Sequence, residues 1–326
     1  MLHYTLRRTA LLVPLLFGIV VVVFALMQII PGDPAVVLLG QNATPEAVAA
    51  LRTTLGLDRP LPVQLAFYVA NLLQGDLGDS IFRGEPVIVA IGSRLMATVE
   101  VAVTALALAV AIGLALGVLA AVKRGSIVDT ASMLFAQIGV SMPVFWLGIL
   151  LMFWLAVQLN WLPAVGRGEP LLSAAGAALT GRWGPFVDSA RHLALPVMTL
   201  GVYSAAVMSR VVRASMLETL SQDYVRTARA KGVTPWRVVF AHGLRNALLP
   251  VVNIIGLRFG ELLGGAVLTE SIFGWPGLGQ LAVTAISQRD IPLVQGIVLV
   301  FATMFAVMKL IVDLLNAALD PRVRLE

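Results

Sequence analysis

The chain has 326 residues, of which 59% are hydrophobic and only 13% charged, with a formal net charge of +5 and no cysteine. This balance excludes an ordinary soluble domain, a disulfide framework and a thiolate metal site. The three histidines, His3, His192 and His242, are too scattered to suggest a metal cluster. Six stretches are long and apolar enough to cross a bilayer, namely Thr9 to Ile30, Ala97 to Val122, Ala131 to Leu159, Leu193 to Val212, Ala247 to Thr269 and Ile291 to Leu314. Backbone groups in lipid must be satisfied within the segment, so these are helices and the expected class is an all-α polytopic membrane protein. With six spans both termini share one side. If that side is the cytoplasm, the inner segments hold Arg7, Arg8, Lys123, Arg124, Arg210, Arg213, Arg226, Arg229, Lys231, Arg237, Arg245, Arg322 and Arg324, and the longer outer segments hold only eight arginines. The positive-inside rule then places both termini in the cytoplasm.

Arg7 and Arg8 precede an apolar run too long for a signal peptide and without an Ala-x-Ala exit, so the first span is read as retained. Pro31-Gly32-Asp33-Pro34 ends it. In the external segment that follows, Thr44-Pro45-Glu46 starts a short helix ended by Gly56, and a second helix runs from Val63 to Gln74 behind Pro60 and Pro62. Gly75, Gly78 and Gly84 make turns. Span two carries Gly113 and Gly117 four residues apart, a spacing that lets helix backbones approach closely. Span three contains Pro143, which removes a helix hydrogen bond and predicts a kink within the membrane. Trp161 and Trp183 beyond it suit a membrane boundary. Span four contains Pro196 and leads into the longest polar, basic stretch of the chain, Glu218 to Pro250.

In that stretch Ser221 is expected to cap a helix start, Asp223 to place negative charge in its first turn, and Gly232 to end it in the left-handed region after about three turns. Thr234 and Pro235 then read as cap and first residue of a return helix with Trp236, Val239, Phe240 and Leu244 on one face. Such a segment could be a helix-turn-helix on nucleic acid, a solvated loop that is basic only by topology, or a docking element. Span five holds Arg258 and Glu261, three residues apart on one helical face, where an unpaired charge costs about 2.5 to 3.5 kcal/mol on insertion scales. They read either as a structural ion pair or as pathway residues. Glu270 to Gly279, ESIFGWPGLG, is a Gly/Pro-broken connection expected to fold back toward the outer mouth. In span six Lys309 and Asp313 form an ion pair, and Leu319-Asp320-Pro321-Arg322 begins a short cytoplasmic tail.

YVRTARAKG followed by HGLRNALLP resembles the cytoplasmic loop of the permeases of bacterial dipeptide, oligopeptide and nickel ABC importers. PGDPA, LGLDRPLPVQ and GDLGDS resemble the outer segment of the first of the two permease subunits in such systems, and ESIFGWPGLG also fits the family pattern. The wider importer group has Glu-Ala-Ala, three residues and Gly in this loop; here those first positions are Arg226, Thr227 and Ala228, so the Glu is absent, and the distance from Gly232 to Pro250 is longer. The peptide-importer branch shares both departures. The resemblance covers nearly the whole chain and implies a type I importer permease fold, with 1–95 as first span and external segment, 96–316 as the core permease with a docking loop at 214–249, and 317–326 as tail. It implies docking on an ATPase through Asp223, Tyr224, Arg226, Thr227, Ala228, Ala230, Lys231 and Gly232, and no binding of nucleic acid.

No phosphate-cradling loop is present, because none of Lys123, Lys231 and Lys309 has Gly before it and Ser or Thr after it. The expected chain is therefore non-catalytic and binds no cofactor or metal itself. The resemblance implies as partners a second homologous permease, two cytoplasmic ATPase subunits that carry ATP and Mg, an external substrate-binding protein and the lipid of the bacterial inner membrane. Peptide is the expected cargo, with glutathione or nickel as alternatives. The reading from another class is a self-sufficient secondary transporter, for which Arg258 and Glu261 would be the only strong intramembrane ionisable residues.

Overall fold

The computed structural model describes residues 2–29, 34–39, 43–54 and 56–319; the expected turn at Pro31 to Asp33 and the tail from Asp320 on lie outside the described residues. The described chain is nearly all helical. It divides into two compact units, one holding Leu6–Met96 and Leu281–Ala306, the other Ala97–Gln280 and the stretch from Val307 on.

In the first unit, α1 (Leu2–Ile29) is followed by α2 (Pro34–Leu39), α3 (Pro45–Thr54) and α4 (Leu61–Leu73). The Thr44 hydroxyl accepts a bond from the Ala47 N–H at the start of α3, and Gly56 follows its end at φ +67°, as the sequence predicts. Gly75, Gly78 and Gly84 all take positive φ in the turns beyond α4. Val20 and Val23 of α1 pack with Leu299 against Tyr68, Val69, Leu72 and Leu77. The carboxylate of Asp290 is fully buried, accepting from the Ser80 hydroxyl at 2.5 Å and from the Leu293 N–H at 3.3 Å. It fastens the GDLGDS segment to the residues that open the last long helix.

The second unit is built on α5 (Val87–Val122), α6 (Ile127–Ser141), α7 (Val144–Leu151), α8 (Leu171–Leu179), α9 (Trp183–Leu220) and α12 (Arg245–Ile272), with the end of α14 (Ile291–Leu319). Gly113 and Gly117 behave as their spacing predicts. A Cβ on Gly113 would lie 2.7 Å from Met208 Cβ, and one on Gly117 would lie 2.6 Å from Val212 Cβ, so both glycines let α5 touch α9. Where those helices meet α12, Val118, Ala121, Met208, Val212, Met216, Ala247 and Val251 form a buried cluster.

Among the described residues five helices are long and apolar enough to cross a membrane, and α6 with α7 and its continuation to Gln158 pass the same test of length and composition together as a bent pair. The expected kink at Pro143 is a bend of 103°. The physical reason lies in two adjacent residues: Pro143 has no N–H, and Met142 before it is pushed to extended backbone, φ −85° and ψ 127°. Beyond α7 the helix is wound more loosely, as a π-helix, over Met152–Gln158.

The ESIFGWPGLG connection turns back on its own first residue. Glu270 is fully buried and accepts from the Thr98 hydroxyl at 2.7 Å and the N–H groups of Gly279 and Gln280 at 2.7 and 3.1 Å. A Cβ on Gly277 would meet the Glu270 carboxylate, so the glycine makes room for the anion. From Leu278 the chain is helical again as α13 (Leu278–Gln288), an element the sequence reading leaves inside a connection. Nearby, the buried Glu100 carboxylate pairs with Arg167 at 2.7 Å and accepts the Leu171 N–H at 3.0 Å.

Candidate functional site

The docking loop forms α10 (Asp223–Ala230), two turns long rather than three. Ser221 does not cap it. Ser221 closes α9 instead, its hydroxyl donating to the Glu218 carbonyl at 2.7 Å, and Gln222 precedes α10 without a side-chain cap. The far end matches expectation. Gly232 takes φ +75°, its N–H donates to the Arg229 carbonyl and the Val233 N–H to the Ala228 carbonyl, the paired bonds of a Schellman ending.

Only Val225 and Ala228 of α10 are buried. Asp223, Tyr224, Arg226, Thr227, Ala230, Lys231 and Gly232 are all exposed, so seven of the eight docking candidates share the outward surface and Ala228 faces the chain itself. Asp223 and Arg226 pair at 3.4 Å with both side chains in water, a contact worth little to stability. Tyr224 sets the angle of the helix. Its hydroxyl donates to the His242 carbonyl at 3.3 Å and accepts from Asn246 Nδ2 at 2.8 Å.

The return segment is one continuous helix from Pro235 through Ile272, the stretch Pro235–Arg237 (α11) leading through a π-wound Val238–Leu244 into α12. Pro235 is its first residue as expected, while Thr234 makes no side-chain cap. The expected apolar face divides. Val239 and Leu244 pack on the buried cluster, whereas Trp236 is 72% and Phe240 38% exposed, their rings in contact with planes tilted by 37° and centroids 3.9 Å apart. Gly243 makes the close approach, since a Cβ there would lie 3.0 Å from Leu220 at the end of α9. The base is further tied by Asp129, whose carboxylate takes both Arg213 Nε at 2.6 Å and Nη2 at 2.8 Å. That pair carries no local spacing signal, whereas the aromatics, four residues apart, share one helical face in the sequence.

Arg258 and Glu261 are paired within α12, as their spacing predicts. The two are unequal. Arg258 is 14% exposed with its Nε–H buried and unbonded, whereas Glu261 is 53% exposed and lines an open groove of about 490 Å³ together with Tyr203 and Val140 to Val144 at the α6–α7 break. The Lys309–Asp313 pair forms as expected at 3.0 Å. Among the described residues no group of three His, Asp or Glu side chains could hold a metal ion.

Residues 113–325 match the family described as binding-protein-dependent transport system inner membrane component, and residues 1–102 match the N-terminal part of such membrane components. The chain belongs to this family. Over its full length the permease is similar to the dipeptide transport system permease protein DppB of Alkalihalophilus pseudofirmus, 42% identical across 99% of this chain and 100% of the relative. It is 45% identical to the protein of the same name from Escherichia coli K12, over 99% of each chain. The glutathione transport system permease protein GsiC of Salmonella typhi is 43% identical, again over 99% of each. Among solved structures an inward-facing form of the MetNI methionine ABC transporter matches with a TM-score of 0.55 at 18% identity, covering 71% of this chain and 96% of that one. The permease thus has the type I ABC importer permease fold.

Proposed function

We propose that the permease forms half of the membrane pathway of an ATP-driven importer of short peptides. The observation that carries this reading is the similarity over 99% of the chain to permeases named for dipeptide transport. On this reading a second, homologous permease completes the pathway, an external binding protein delivers the peptide, and two ATPase subunits holding ATP and Mg bind on the side that carries α10. Both chain ends are cytoplasmic. The exposed face of α10, from Asp223 to Gly232, enters a groove on one ATPase, and the Trp236–Phe240 pair adds apolar area beside it. Closure of the ATPases on ATP then moves α10, and with it α9 and α12, as a rigid body between two states.

Glutathione, itself a short peptide, is the second reading, favoured by the 43% identity to the glutathione permeases. Reconstitution decides. The permease assembled with its neighbouring subunits in proteoliposomes is expected to accumulate radiolabelled dipeptide when ATP is present with the ATPases and binding protein. Uptake of glutathione in preference to dipeptides selects the second reading, and uptake of nickel without peptide overturns both.

A further inference from the structure

We propose that the groove between the α6–α7 break, Tyr203 and Glu261 receives the positively charged amino terminus of the peptide. The inference rests on the reading as a peptide importer and adds to it a site, a charge and a part of the cargo.

The polar side chains that line the groove, Ser141, Tyr203 and Glu261, can each accept a hydrogen bond, and Glu261 is the charged one among them. Glu261 brings a carboxylate whose Oε2 is engaged by Arg258 and whose Oε1 has no partner among the described residues. Tyr203 brings a hydroxyl that makes no hydrogen bond among the described residues. Val140 and Ser141 belong to the last turn of α6, whose carbonyls have lost their usual donors because Pro143 carries no N–H and the helix stops at Ser141. The end of α6 carries partial negative charge and the uncapped start of α7 partial positive charge, so the helix ends offset each other and the negative charge of the groove comes from Glu261. No basic side chain lines the groove, and Arg258 reaches Glu261 from its buried side.

Such a surface suits an ammonium group, which offers three donors and no acceptor, and it disfavours the carboxylate at the other end of a peptide. A metal ion is poorly served, with one carboxylate and no imidazole or thiolate nearby. The position fits a pathway. Pro143 lies midway along the α6–α7 span and Tyr203 near the middle of α9, the depth at which broken helices hold substrate in other transporters. The volume of about 490 Å³ is within the range of small-ligand sites. Arg258 acts as the positioning residue, because its ion pair with Glu261 holds the carboxylate turned to the groove when no cargo is bound.

The absence of cysteine makes a direct test practical. In the assembled importer in nanodiscs, Ser141→Cys places one thiol in the groove, and its rate of reaction is compared for a cationic methanethiosulfonate (trimethylammonioethyl) and an anionic one (sulfonatoethyl). The cationic reagent is expected to react about tenfold faster after correction for intrinsic rates, an advantage of the size that a focused charge confers. Glu261→Gln on the Ser141→Cys background should bring the two rates near parity. Alanyl-alanine should slow the cationic reagent, and N-acetyl-alanyl-alanine should not. Equal rates in the Ser141→Cys importer, an advantage that persists in Glu261→Gln, or equal protection by both peptides overturns the proposal. Should Glu261→Gln fail to assemble, Glu261→Asp and the peptide comparison alone decide it. A charge preference in an importer that takes up no peptide would sink the transport reading while leaving the acceptor groove in place, whereas peptide uptake without a charge preference would sink only the groove.

Discussion

Gly232 has open space around the position of a Cβ, so any effect of substitution there comes from its φ of +75° alone. A β-branched side chain strongly resists that conformation, at a cost of about 1 to 2 kcal/mol or more, whereas Asn tolerates it. Gly232→Val is therefore expected to lower both ATPase co-purification and uptake at least tenfold while leaving the permease in the membrane, and Gly232→Asn is expected to retain most of both. Arg258 and Glu261 give a second expectation. An orphaned buried charge costs more than the pair is worth, so Glu261→Ala, which strands the 14%-exposed Arg258, should reduce the amount of assembled complex more than the double change with Arg258→Ala does. Uptake per assembled complex should nevertheless stay low wherever Glu261 is gone. Losses of assembly that simply add would show that the two side chains do not support each other. Both sites were legible in the sequence because their signals are local: a glycine after a helix, and two charges one turn apart. The Asp129–Arg213 and Glu100–Arg167 pairs were not, since 84 and 67 residues separate the partners and only the packing of spans brings them together.

At the scale of elements, sequence reading located the apolar spans, the external helices and the docking helix, because each has its own period and its own Gly or Pro boundary. It understates the break at Pro143, where the proline and the residue before it act together, and it places Trp236 and Phe240 on one face with Val239 and Leu244. That face divides for a physical reason. The π-wound turn of Val238–Leu244 departs from the 3.6-residue period on which the assignment rested, and it turns Val238 and Gly243 inward instead. The exposed aromatic pair then becomes testable as a contact. Trp236→Ala with Phe240→Ala removes little from the permease's own core, yet aromatic anchors at a protein interface commonly contribute about 2 kcal/mol or more. The double variant should be as thermostable as the parent when purified alone but lose the ATPases at least tenfold more readily in detergent. Unchanged retention of the ATPases would show that the pair lies outside the contact.

The topology of the whole chain yields to the same absence of cysteine. Thr234 and Ser173 are exposed, so single cysteines at these places should react with an impermeant thiol reagent from opposite sides, Ser173→Cys in intact spheroplasts and Thr234→Cys only after permeabilisation. Labelling of Thr234→Cys from outside would reverse the orientation. Ser80 is unsuitable, being buried on Asp290.

The unbroken helix from Pro235 to Ile272 has a further consequence for how the chain tolerates changes of length. In an α-helix each inserted or lost residue turns everything beyond it by about 100°. A deletion among Arg245 to Pro250 would therefore swing the docking surface away from the bearing it holds relative to Glu261. A π-wound turn already accommodates extra chain without rotating its flanks, because its bonds reach one residue further. Val238–Leu244 is thus a phase buffer, and it lies inside the interval from Gly232 to Pro250. Loss of the exposed Ala241 should tighten that turn to an ordinary α-helix and leave uptake largely intact, whereas loss of Asn246 should abolish it, though each variant lacks only one residue.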